Sequence, residues 1–391
     1  MAVYNRIAEF HNDMTDWRHD IHAHPELCFE EVRTSAIVVE KLQEWGIETY
    51  AGLAKTGVVG VLKGQGSSKK VIALRADMDA LPMQEHTNLP YQSVIDGKMH
   101  ACGHDGHVAM LLGAARYLAE TRNFDGTIHF IFQPAEEGGG GAKVMMDEGL
   151  FDKFPCDSVY GMHTESTLPA GKFGIKSNAF YASCDTATIT IKGTGGHAAM
   201  PHQCVDPIAI GVQLHTALQT IVSRNANPLS PAVLSITKFN AGTADNVIPN
   251  FAELVMSIRA LSRETRAMIR NRVHEISEGL AKTHGVDITV EYNDGYPVMV
   301  NDPDHTEIAV ATAAHIVGKQ NVDGDFPQSM GSEDFAYMLE EKPGAYIVIG
   351  QQDDGHMAYE HNQDFNFNDK VLATGASYWA ALVEKTLPRN S

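Results

Sequence analysis

Short apolar runs alternate with amphipathic stretches along the first half of the chain. Near-continuous runs at 57–62 (GVVGVL), 71–76 (VIALRA), 127–132 (TIHFIF) and 158–162 (SVYGM) predict strands. Between them, 33–45 and 108–120 repeat apolar residues every three to four positions; Val108, Leu111, Leu112, Ala115 and Leu118 share one helical face. Strands of this kind separated by helices predict an α/β domain with a mostly parallel sheet covered on both faces. After about Tyr181 the pattern changes. A strand with one wet face (185–192) is followed by a helix (206–224), two strands (232–239, 251–260), a helix (264–284) and a strand (287–292). That order, β-α-β-β-α-β, is the ferredoxin-like arrangement. After Gly295 the first pattern returns, with a helix at 305–318 and an apolar strand at 345–349. The expected organisation is a larger domain of 1–181 and 294–391 interrupted by a ferredoxin-like α+β domain at 182–293, an insertion made tolerable by the proximity of domain termini.

Composition narrows the function. Thirty Lys plus Arg against forty-nine Asp plus Glu give 30 − 49 = −19, which disfavours nucleic acid and anionic membranes as partners. No stretch reaches the ~18 apolar residues of a membrane span, and the charged N-terminus has no signal-peptide core. Five scattered cysteines without a C-x-x-C pair point to a reducing, cytoplasmic setting rather than a disulfide scaffold.

Chemistry-bearing residues follow the predicted strands of the larger domain. Asp77 and Asp79 follow 71–76, Glu136 and Glu137 follow 127–132, His163 follows 158–162, and His356 and His361 follow 345–349. Ligands of open α/β sheets bind outside the carboxyl ends of strands, so these groups are expected at one edge. The run 100–107 (HACGHDGH) precedes the helix at 108. Singly, each residue reads as packing or surface. Together, thiolate, imidazole and carboxylate make a site for a borderline-soft cation, and adjacent glutamates allow one to coordinate while the other carries a proton. Three patterns are set aside. GGGGAK at 138–143 lacks the P-loop spacing. The G-x-G-x-x-A at 193–198 is followed by Pro201 and by no ribose-binding acid before Asp245. His22-x-His24, though similar to the strand ligands of barrel amidohydrolases, is followed by Pro25 and lies outside any strand.

The ordered set HPELCFEE (24–31), RADMDALP, MHACGHDGH, FQPAEEGGGGA, GMH, GTGGHAAMPH, ADNVIPN, GSEDF (331–335) and the late His361 resembles the aminoacylase-type dinuclear metallopeptidases. Within them it resembles specifically the branch of hippuricases, N-acyl-amino-acid amidohydrolases and plant auxin-conjugate hydrolases. The resemblance implies a catalytic domain with an inserted lid that also dimerises, as a homodimer or dimer of dimers. It implies two divalent ions (zinc, manganese or cobalt) on Cys102, His104, Glu137, His163 and His361, with Cys102 bridging and Glu136 the general base. Asp79 would orient a ligand. His197 of the lid would reach the partner's site and steady the oxyanion, a role His202 suits less. Asn246 and Arg259, thirteen apart (259 − 246), would hold the substrate's amide oxygen and carboxylate. In relatives a leucine-histidine pair usually ends the motif series, where this chain has Tyr-Glu-His; His361 is taken as the ligand and His356 as a surface residue. The implied reaction is metal-dependent hydrolysis of an N-acyl amino acid. The competing readings are a dipeptidase or N-acetyl-diaminopimelate deacetylase on the same scaffold, and a non-catalytic metal-binding protein.

Overall fold

The computed structural model describes residues 3–389. They form two compact units. The larger comprises the chain up to Asn178, Val300–Pro327 and the chain from Asp334 onward; the smaller comprises Ala179–Met299 and Gln328–Glu333.

The larger unit is built on an eight-stranded sheet in the order Glu48–Leu53, Gly57–Lys63, Thr127–Gln133, Val71–Asp77, Ser158–Pro169, Gly344–Gln352, Phe173–Gly174, Val322–Asp323. Its four central strands, Thr127–Gln133 to Gly344–Gln352, run parallel. The run at 57–62 is a strand, but it lies antiparallel to Thr127–Gln133. An apolar run carries no direction, so the sequence could not distinguish the two. The central strands are buried almost throughout, as strands covered by helices must be. Helices His104–Thr121 and Leu372–Thr386 supply much of the cover, and Leu111, Leu112, Leu118, Tyr378, Trp379 and Leu382 are among their core residues. Asp302 caps the helix Pro303–Val317 by accepting from His305 N at 3.1 Å, with proline at the first helical position.

The smaller unit has a four-stranded antiparallel sheet, ordered Ala232–Ala241, Phe251–Ala260, Ser183–Lys192, Asp287–Asn293. With helices Pro207–Thr220 and Arg263–His284 this is the β-α-β-β-α-β arrangement, the first strand central beside the third. The pattern Phe251–Ala260, wet and dry by turns, buries Leu254, Met256, Ile258 and Ala260 in one cluster with Ile210, Leu214, Ile269 and Val273. Asp206 and Ser262 cap the two helices. A second element, unforeseen from the sequence, is a two-stranded ribbon of Gly196–His197 with Val247–Ile248; two residues per strand leave no periodicity to read. Among the described residues no cysteine is in a disulfide, and no helix is long and apolar enough to cross a membrane.

Candidate metal centre

Parallel strands bring their carboxyl ends to one edge, and each delivers part of the centre. Val71–Asp77 ends in Asp77 and is followed by Asp79; Thr127–Gln133 is followed by Glu136 and Glu137; Gly344–Gln352 leads towards His361. His163 lies within its strand rather than after it, because that strand runs on to Pro169 and pairs His163 with Val348. Gly103, at φ +87°, turns the chain between Cys102 and the helix that His104 opens.

The five expected ligands form two groups that share one member. Donor atoms of Cys102, His104 and His163 lie within 4.8 Å of one another, and so do those of Cys102, Glu137 and His361. Cys102 Sγ is 3.3 Å from His163 Nε2, and His361 Nε2 is 3.2 Å from Glu137 Oε1. Glu136 forms a third such group with His104 and Glu137. His356 is elsewhere, its Nδ1 2.6 Å from Asp353 Oδ1. The set-aside His22 is buried with Nδ1 on Asp105 at 2.9 Å and Nε2 on Glu85 at 3.2 Å, so both ring nitrogens are occupied by protein.

Hydrogen bonds fix the tautomers. A carbonyl oxygen only accepts, so His104 Nδ1 donates to Asp79 O at 2.9 Å and His163 Nδ1 donates to Thr164 O at 2.6 Å. Nε2 of each ring is turned to the centre. That of His104 is buried with no hydrogen-bond partner among the described residues. Burial disfavours charge on His104, but Asp77 and Asp79 outweigh it and lift the imidazole to about 10. Burial, then Glu137 and Glu136, push the Cys102 thiol well above its ordinary range. So negative a pocket takes up a proton or a cation. One thiol, three imidazoles and a carboxylate around a buried nitrogen that makes no hydrogen bond fit a divalent cation of borderline softness.

Around the donors is a second set of contacts. The Asp79 carboxylate, 1 % exposed, accepts from Glu136 N and Glu137 N at 2.9 Å each and from Cys28 Sγ at 3.3 Å. Burial, then Asp79, push the Cys28 thiol up to about 12, so it acts as a donor. Glu31 accepts from Ala135 N at 2.9 Å and from Thr56 Oγ1 at 2.5 Å, and so pins the residue before Glu136, which is held at φ +55°. Asp334 accepts from Arg75 Nη2 at 3.0 Å, Gln133 Nε2 at 2.8 Å and Ala142 N at 2.9 Å, while its own N–H points to Glu136 Oε1 at 3.4 Å. Cys28, Glu31 and Asp334 fall within motifs the sequence singles out, but their roles depend on contacts 25 to 259 residues away.

The remaining candidates belong to the smaller unit. The ribbon joins His197 to Val247 and places Asn246 O on Ala198 N at 3.0 Å, so His197 and Asn246 are neighbours. His197 Nδ1 accepts from Ala199 N at 3.1 Å. Arg259 is not beside them. It lies nine residues along the strand from Asn250 (259 − 250), about 30 Å at ~3.3 Å per residue. There its Nη1 donates to Ser332 Oγ at 3.2 Å and Met330 O at 3.3 Å. Thirteen residues of separation therefore do not make Asn246 and Arg259 a local pair.

Comparison with known proteins gives a consistent picture. The profile of peptidase family M20/M25/M40 matches residues 73–385. The chain is 45 % identical to a hippurate hydrolase of Campylobacter jejuni over 99 % of its own length and 100 % of the relative's. It is 39 % identical to an N-acetylcysteine deacetylase of Bacillus subtilis over 95 % of this chain and 96 % of that one. Among solved structures, a dinuclear metal-binding peptidase of the M20 family from Bacillus subtilis superposes with a TM-score of 0.84 at 35 % identity, covering 97 % of this chain and 99 % of the other.

Proposed function

Because the chain belongs to peptidase family M20/M25/M40, we propose that it hydrolyses the amide bond of N-acyl amino acids, releasing a carboxylic acid and a free amino acid. Two divalent cations would be held by Cys102, His104, Glu137, His163 and His361. The observation that carries this reading is the membership of Cys102 in both donor groups, with Glu136 adjoining them. Relatives named for hippurate and N-acetylcysteine, both N-acyl amino acids, support the substrate class.

When bound, divalent cations in such a site would supply a water of lowered pKa and polarise the scissile carbonyl. Glu136 then takes a proton from the attacking water and returns it to the leaving amine nitrogen. Its backbone is held by Asp79 and its carboxylate is met by the Asp334 N–H, so the base is fixed in place. His197 is the oxyanion donor. With Nδ1 engaged as an acceptor, the neutral ring carries its proton on Nε2, as that role requires. The Asn246 amide donates to the acyl oxygen, and the planar fork of Arg259 receives the α-carboxylate. One chain cannot apply His197 and Arg259 to one small substrate across about 30 Å of strand. A homodimer, in which His197 and Asn246 come from one protomer and Arg259 from the other, removes the difficulty. The metal is zinc on the strength of the thiol, or manganese or cobalt, and the unpaired cysteines suit the cytoplasm.

The test is a hydrolysis panel with zinc, manganese or cobalt: hippurate, N-acetyl amino acids, an auxin conjugate and dipeptides. Turnover of the N-acyl amino acids at least tenfold above that of dipeptides supports the reading. A preference for dipeptides, or no turnover with any metal, contradicts it.

A further inference from the structure

The motif 99–107 contains a histidine, His107, that the mechanism does not use. It is 2 % exposed, on the first turn of the helix His104–Thr121. Its donor atoms, with those of Asp77 and His104, form a group tight enough to resemble a metal site. The hydrogen bonds exclude His107 as a ligand. Nε2 is 2.9 Å from Thr164 N, and an amide N–H only donates, so Nε2 bears no proton and its lone pair is spent. The ring proton is therefore on Nδ1 and is given to Asp77 Oδ1 at 2.6 Å; Asp77 is held in turn by Arg75 Nη1 at 2.6 Å.

What His107 holds is informative. Pairing between the strands Val71–Asp77 and Ser158–Pro169 ends at Arg75 and Gly161. Three residues on, two imidazoles meet the backbone of Thr164: His107 takes its N–H, and its C=O takes the Nδ1 proton of His163 at 2.6 Å. Buried peptide groups need such partners where a ladder stops. The rings of His107 and His163 also meet edge to face, with centroids 4.6 Å apart.

We infer that His107 is a positioning residue for the metal centre: it fixes Thr164, whose carbonyl holds His163 in the tautomer that presents Nε2 to Cys102. The inference rests on the proposed role of His163 as a ligand. It assigns His107 to one cation position, the one His163 serves, and not to the one formed by Glu137 and His361.

Two substitutions separate this role from packing. His107→Asn keeps a donor for Asp77 but is too short to reach Thr164. His107→Gln places an acceptor where Nε2 stood. The full chain, stripped with a chelator, is titrated with cobalt(II) and followed by visible absorption, with melting temperatures recorded alongside. His107→Asn should weaken one of two cobalt equivalents by about 10- to 100-fold, the usual effect of losing a group that orients a ligand. The other equivalent should be unchanged, and His107→Gln should recover to within about threefold of wild type. Wild-type binding of both equivalents by His107→Asn would overturn the inference. So would equal losses in Asn and Gln that follow the melting temperature, since His107 would then be a packing residue. Retention of both equivalents by His163→Ala would instead overturn the ligand assignment itself, and the role of His107 with it.

Discussion

Asp79→Asn removes one oxygen from a buried carboxylate and leaves its shape unchanged. Asp79 Oδ1 accepts from Glu136 N and Oδ2 from Glu137 N, both at 2.9 Å. Whichever way the new amide turns, its NH₂ faces one of these N–H groups, because both acceptor positions are taken by donors. The substitution loses a hydrogen bond to a charged group, worth ~1.5–3 kcal/mol, and strands a buried N–H at a further ~1–3 kcal/mol. Relief from no longer burying a charge offsets part of that, so the net expectation is a destabilisation of about 3 kcal/mol. Because the two N–H groups belong to Glu136 and Glu137, kcat should fall with stability, and metal affinity should drop by about 10- to 100-fold. Urea unfolding of the metal-free chain gives the first quantity from the midpoint at constant slope; metal titration gives the second. A variant within ~0.5 kcal/mol of wild type with unaltered kcat would refute the view that Asp79 sets the two glutamates.

Three further expectations follow from other parts of the structure. Cys102→Ala should lose at least one metal equivalent on dialysis, read by plasma emission spectrometry; two equivalents retained would remove the bridging role. Glu31→Gln keeps an acceptor for Ala135 N, so it should unfold within ~1 kcal/mol of wild type at pH 4. Burial raises the Glu31 pKa, so its contribution is full below about 4.3 and is lost as pH rises through the folded value; the variant should therefore gain on wild type between pH 4 and 7, and a gap constant with pH would contradict this. Mixing inactive Glu136→Gln and His197→Ala chains should restore about a quarter of wild-type activity, since half the dimers are hetero and each has one intact site of two; no recovery after verified subunit exchange would mean that His197 acts within its own chain or not at all.

The parts of the fold and site that were legible in the sequence are those written locally. The runs at 71–76, 127–132 and 345–349 reveal strands because each is apolar and bounded, and residues directly after such strands must gather at one edge. Alternation at 251–260 reveals a strand with one wet face for the same reason. Direction is different: 57–62 is as apolar as its neighbours, yet it runs antiparallel. The ribbon that joins His197 to Asn246 is too short for any period, whereas the strand legible at 251–260 already carries Arg259 away from Asn246, which their spacing of thirteen taken alone does not show. The segment Gln328–Glu333 belongs to the smaller unit through contacts distant in sequence. Likewise Glu31, Cys28, His107 and Asp334 show their use only once the backbone groups they meet are in place. A motif marks such residues without saying which N–H or carboxylate they serve.

The central claim is that Glu136 moves the proton in a metal-dependent amide hydrolysis while its neighbour Glu137 holds metal. Glu136→Gln measures it most directly, with metal content and hippurate turnover read on the same sample. The expected result is metal content equal to wild type and a kcat lower by ~10²–10⁴, as for the loss of a general acid–base. A variant that loses metal, yet regains wild-type turnover when metal is resupplied in excess, would contradict the claim and reverse the two roles.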